Sequence, residues 1–125
     1  MLPFHVQFEP GEPVYEQVIY AVEKALVQRQ LQPGDAFPSQ RTLARELKIN
    51  PNTAQKIIGH LKQAGILVVE PGRGTFVSQT YEPPVGAAQQ LVDRDLETLV
   101  VKAKRLQVSL TDLQTELNRK WEELS

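Results

Sequence analysis

The 125-residue sequence has no cysteine, one methionine, one tryptophan and two histidines. Without cysteine it can form neither a disulfide framework nor a thiolate metal site. His5 and His60 lie far apart and lack companion ligands, so metal-ligand spacing is absent. No apolar run approaches the ~20 residues of a membrane-spanning helix, and no charged-then-apolar leader precedes the body. We therefore expect a cytoplasmic protein with no membrane partner, no metal and no cofactor. No glycine-rich phosphate loop follows a strand and opens a helix. The paired acids Glu122 and Glu123 read as a solvated helix end. Nothing gathers into catalytic machinery, and the chain is not expected to be an enzyme.

Charge of one sign is also lacking overall: 14 basic residues face 15 acidic ones, for a formal net charge of −1. The distribution is uneven. Between Pro38 and Thr80 there are six basic residues (Arg41, Arg45, Lys48, Lys56, Lys62, Arg73) and two acidic ones (Glu46, Glu70). Between Tyr81 and Ser125 there are six basic and eight acidic. A local positive excess is what contact with a phosphate backbone requires, whatever the total.

That basic stretch holds the most informative pattern. Ser39 is a good helix N-cap, because its hydroxyl can accept from an orphan N–H of the first turn. Leu43, Ala44 and Leu47 then share one helical face. Lys48-Ile49 breaks the pattern. Asn50 is a second N-cap, with Pro51 at the first helical position, where a missing N–H costs nothing. Ala54, Ile57, Ile58 and Leu61 mark the buried face of a second helix, and Gly65 can end it in a left-handed conformation. Two short helices with a tight turn make a helix-turn-helix candidate. Asn52, Thr53, Gln55, Lys56 and His60 lie off the apolar face, mostly in the first turns, where a recognition helix contacts base edges. Asn and Gln can pair with adenine, Thr can meet the thymine methyl, and Lys can reach phosphate or guanine. The alternative is an ordinary polar helix face.

The residues that follow favour the DNA reading. Leu67-Val68-Val69 and Thr75-Phe76-Val77 are short strands around the Pro/Gly-rich turn Glu70-Pro71-Gly72-Arg73-Gly74. A hairpin directly after the second helix, with Arg73 at its tip, has the layout of a wing. Arg73 could reach a minor groove or a phosphate, or it could be a solvated tip residue without a role.

Upstream, Phe4-His5-Val6-Gln7-Phe8 alternates apolar and polar residues, a pattern compatible with a short strand. A first helix is expected from Val14 to about Gln30, with Val14, Val18, Ala21, Val22, Ala25 and Leu26 as its stripe. Tyr15 and Tyr20 are expected to be packing residues. Gln32–Asp35 reads as a turn, and Phe37 as a core residue.

Downstream, Ser78 to Gly86 reads as a linker. Val92, Leu96, Leu99, Ala103 and Leu106 then form a heptad-like seam. Gln107-Val108 interrupts it, and Ser109 with Asp112 forms a capping arrangement. Leu110, Leu113, Leu117, Trp121 and Leu124 mark a last amphipathic helix. Two short amphipathic helices cannot bury both stripes alone. A second copy of the chain in a C2 dimer is the expected cover, and folding back onto the first domain is the alternative. The expected division is residues 1–78 as a winged helix-turn-helix domain, 79–86 as linker and 87–125 as a two-helix dimerisation tail. The fold class is thus mainly α with a small β-hairpin wing.

Val14 to Val77 resembles the DNA-binding domain of the GntR family of bacterial transcription regulators. The resemblance is carried by VYEQV (Val14–Val18), LQPGDAFPSQRTLARELKIN (Leu31–Asn50), NTAQKIIGHLKQAGIL (Asn52–Leu67) and GRGTFV (Gly72–Val77), in order and with family-like spacing. The INPNTAQ turn and the short tail resemble the YtrA-type subfamily. The resemblance implies a three-helix winged fold, operator binding as a homodimer and, usually, repression. It places Arg41 at the arginine that contacts operator DNA near the start of the second helix; pairing with Asp35 is the alternative role. Many family members carry arginines where this chain has Pro51 and Gln55, which implies a different operator preference here.

The residues expected at double-stranded DNA are Ser39, Arg41, Asn50, Asn52, Thr53, Gln55, Lys56, Arg73 and Gly74. Those expected at the dimer interface are Val92, Leu96, Leu99, Ala103, Leu106, Leu113, Leu117 and Trp121. Only about 45 residues follow the wing, too few for a separate ligand-binding domain. A pocket for a small-molecule effector, of unknown identity, could form only at the dimer interface. The competing reading of the whole chain is a winged-helix module for protein–protein contacts without specific DNA binding.

Overall fold

The computed structural model describes residues 2–125. They form two compact units, one up to Tyr81 and the other Glu82–Ser125. The first contains α1 (Val14–Val27), β1 (Ala36–Phe37), α2 (Gln40–Leu47), α3 (Pro51–Gln63), β2 (Leu67–Glu70) and β3 (Gly74–Val77). The fold class is as expected, a helical domain with a small antiparallel sheet.

The apolar stripes of the three helices meet in one core. Val18, Ile19, Val22 and Ala25 are buried on α1, Leu43 and Ala44 on α2, and Ala54, Ile57, Ile58 and Leu61 on α3. Leu31, Phe37, Leu67 and Val77 close it from the sheet side. Leu43, Ile57 and Leu61 are fully enclosed, so truncating any of them to alanine costs about 2–5 kcal/mol. Tyr15 of α1 meets His60 of α3 edge to face, 5.8 Å between ring centres.

Four details of this unit differ from expectation. The first helix ends at Val27. Arg29 turns left-handed at φ 62°, and the N–H groups of Gln30 and Leu31 both fold back onto the Ala25 carbonyl. Tyr20 is 61% exposed and Val14 also faces solvent, while Ile19 takes a core position. Phe4-His5-Val6-Gln7-Phe8 is not a strand. Phe4 instead enters the core and stacks on Phe37, 5.8 Å between centroids at 11°; Phe8 stays exposed. Finally, the wing has a third strand. β1 pairs antiparallel with β3 (Ala36 opposite Phe76, Phe37 opposite Thr75), giving the order β1-β3-β2.

The second unit contains a helical turn α4 (Ala87–Gln90), a π-helical turn (Leu91–Asp95), α5 (Leu96–Arg105) and α6 (Leu110–Glu123). The first three run on without a break. The π turn was not foreseen; it accommodates one extra residue per turn inside a helix, and it contains Val92. Gln107 takes a left-handed φ of 60° where the seam was expected to break. Ser109 caps α6 by accepting from the Asp112 N–H at 3.0 Å. On α6 Arg119 bridges Glu116 and Glu123, and its hydrogen bond, with its charge second, holds the Glu116 carboxyl below its ordinary range. α5 and α6 make little contact with each other. Val92, Leu96, Leu99 (44%), Leu106, Leu117 and Trp121 (72%) are therefore exposed in the single chain. Leu113 is half-buried. Ala103 differs from the rest of its seam: it is only 8% exposed, where the chain turns back and the Val108 N–H donates to the Ala103 carbonyl.

Candidate nucleic-acid interface

The interface is built from two caps and one tie. The Ser39 Oγ accepts from the Thr42 N–H at 3.2 Å and its hydroxyl donates to Thr42 Oγ1 at 3.1 Å. Asn50 Oδ1 accepts from the Asn52 N–H at 2.8 Å, with Pro51 at the first helical position. Between these helix starts, Lys48 adopts a left-handed conformation (φ 56°, ψ 47°) that ends α2. The Gln40 side-chain amide donates to the Pro51 carbonyl at 3.1 Å and joins the first turns of α2 and α3. At the far end of α3, Gly65 takes φ 80° and the Ile66 N–H returns to the Leu61 carbonyl, a left-handed helix ending that releases the chain into the wing.

With Ala54, Ile57, Ile58 and Leu61 buried, α3 turns Asn52, Gln55 and Lys56 to solvent, and Thr53 is half-buried beside them. Asn52 therefore presents its side-chain amide, with both donors and its acceptor, at the helix N-terminus. Ser39 and Asn50 are exposed, but each is engaged as a cap. Arg41 is exposed, and among the described residues its guanidinium has no hydrogen-bond or ion-pair partner. The alternative pairing with Asp35 does not occur: Asp35 Oδ2 accepts from the Gln32 N–H at 2.8 Å instead. Arg41 and Arg45, one helical turn apart, line a depression of about 540 Å3 with Ser39, Gln40, Ile49 and Pro51. Its polar rim carries positive charge beside the start of α3, where the helix dipole adds a further partial positive charge.

The wing places Arg73 and Gly74 on a separate element. β2 and β3 pair from Leu67 opposite Val77 to Glu70 opposite Gly74, and Gly72 supplies the φ of 78° that the turn needs. Arg73 is not a free tip residue. Its guanidinium lies 2.8 Å from Glu70 and 5.4 Å from the centre of the Phe76 ring. The reading from sequence missed Gln40, Arg45 and Glu70. Arg45 was legible as the i+4 neighbour of Arg41; Glu70 and Arg73 are three residues apart across a tight turn, a spacing that can bring them together.

Among the described residues, no group of three or more His, Cys, Asp or Glu side chains could hold a metal ion, and no helix is long and apolar enough to cross a membrane.

This arrangement of capped helix pair, polar recognition face and wing coincides with a known family. Residues 14–77 match the profile of the bacterial regulatory proteins, gntR family. The chain belongs to the GntR family. It is 32% identical over 111 residues to the HTH-type transcriptional repressor YtrA of Bacillus subtilis (strain 168), covering 86% of this chain and 85% of that one. The crystal structure of a transcriptional antiterminator from Listeria monocytogenes EGD-e has the same fold, with a TM-score of 0.81 over 97% of this chain and 91% of that one at 21% identity. The AraR DNA-binding domain, crystallised in complex with operator ORX1, matches 59% of this chain and 95% of its own length at 28% identity and a TM-score of 0.52. This GntR-family chain is thus a transcriptional regulator with a DNA-binding domain, not an enzyme, and its likeness to YtrA reaches beyond residues 14–77.

Proposed function

We propose that this GntR-family regulator is a cytoplasmic repressor that binds a palindromic operator as a homodimer. The observation that carries the reading is the division of α3. One side is sealed into the core, and the other offers Asn52, Gln55 and Lys56 beside the cation Arg41, which has no partner among the described residues. In this reading Asn52, Thr53 and Gln55 read base edges in the major groove. Arg41 and Lys56 contact phosphate or guanine. Ser39 and Asn50 act as caps that aim N-terminal N–H groups at the backbone, and Arg73 with Gly74 approaches the adjacent minor groove.

Dimerisation is supported by the second unit. Its apolar residues lie exposed along both α5 and α6, and neither helix covers the other. Apolar side chains left exposed along two successive helices favour an interaction site. A second copy, related by a two-fold axis, would cover both stripes and place two α3 helices on an inverted repeat. Ala103 contributes least to that interface, since it is already enclosed in the single chain. Repression is supported by the name of the YtrA relative.

Selection from a random duplex pool tests the reading, with the wild type and Arg41→Ala run in parallel. Enrichment of one inverted repeat by the wild type, and its loss with Arg41→Ala, is the expected result. Enrichment by neither protein would point to a winged helix used for protein contacts.

A further inference from the structure

The hairpin carries an acid where a DNA-binding wing needs only a cation. Glu70 ends β2 opposite Gly74. The turn between them folds back so that the Arg73 N–H donates to the Glu70 carbonyl at 2.9 Å. The Glu70 carboxylate sits 2.8 Å from Arg73 Nη1, with the two side chains 44% and 73% exposed. The Phe76 ring lies under the guanidinium. The other basic residues of this stretch behave differently. Among the described residues, Arg41, Arg45, Lys48, Lys56 and Lys62 form no ion pair. The helices present unpaired charge, and the wing presents a neutralised pair.

We infer that Glu70 is a specificity-determining residue that acts through Arg73, withholding the wing from sequence-independent binding. The inference rests on the DNA-binding reading above. Non-specific affinity comes almost wholly from cations that neutralise phosphates and release counterions. A wing tip with no net charge contributes little to it, and the carboxylate repels phosphates within the screening length of ~10 Å at 0.1 M salt. An exposed pair is weak, so it does not lock Arg73 in place. A narrow minor groove concentrates negative potential and can replace the carboxylate as the partner of the guanidinium. Phe76 holds the guanidinium at the tip during the exchange. Arg73 is thus released to the operator and kept from random duplex.

The test compares wild type, Glu70→Gln, Arg73→Ala and the double variant as full-length chains, on a selected operator and on a scrambled duplex across a salt series. Glu70→Gln should bind scrambled duplex about three- to tenfold more tightly. Its log K against log salt should steepen by about 0.9, the equivalent of one further phosphate contact, and the operator-to-scrambled ratio should fall. The double variant should match Arg73→Ala on scrambled duplex, because the effect passes through Arg73. An unchanged salt slope, or equal gains on both duplexes, would overturn the inference. A wild type that prefers no duplex would instead remove the DNA-binding reading, and the inference with it.

Discussion

The side-chain amide of Gln40 donates a 3.1 Å hydrogen bond to the carbonyl of Pro51, tying the first turn of α2 to the first turn of α3. This bond ties the start of α3 to the helix that carries Arg41. Gln40→Ala should cost about 0.5–1.5 kcal/mol of stability, the usual net value of such a bond, and should weaken operator binding as well. Urea unfolding and fluorescence anisotropy on a labelled operator measure the two effects. Unchanged binding alongside reduced stability would mean that the bond does not position α3.

Arg41 has no partner among the described residues, so its loss should be silent in folding. Arg41→Ala should leave the unfolding free energy within about 0.5 kcal/mol and weaken operator binding by about 1–3 kcal/mol. A collapse in the melting temperature would show Arg41 to be structural.

Asn50 and Asn52 lie two residues apart and do different things. Asn50 Oδ1 is occupied as the α3 cap, so Asn50→Ala should lower stability by about 1 kcal/mol. The Asn52 side chain has no such duty, so Asn52→Ala should spare stability and relax base preference. Thermal unfolding together with binding to a panel of single-base operator variants separates the two roles.

The N-terminal arm belongs to the core. Phe4→Ala removes a buried ring stacked on Phe37 and should cost about 3 kcal/mol or more. A cost below about 0.5 kcal/mol in urea unfolding would show that the arm is dispensable.

These residues also show what could be read before the structure was known. Ser39, Asn50-Pro51 and Gly65 announce helix ends through local chemistry, and Ala54, Ile57, Ile58 and Leu61 announce a buried face by spacing; each took the expected place. β1 escaped because two residues carry no period, and its pairing with β3 joins distant parts of the chain. Phe4 to Phe8 alternates like a strand, but it is held by packing instead, with Phe4 stacked on Phe37 and Val6 against the core. Tyr20 lies on the far side of α1 from Val18 and Val22, a matter of helix phase that residue type does not reveal. The Glu70–Arg73 pair escaped because Arg73 was read alone.

The tail double variant Leu99→Asp with Leu117→Asp should be monomeric by sedimentation while its winged domain keeps its fold by circular dichroism. A dimer that survives both charges would place the interface elsewhere.

The central claim is that two copies read one inverted repeat, and the mass of the complex tests it most directly. Sedimentation velocity of the wild type on a selected duplex should give two protomers per duplex. Scrambling one half-site, or using the tail double variant, should weaken binding sharply. One protomer per duplex, with the same affinity whichever half-site is scrambled, would contradict the account.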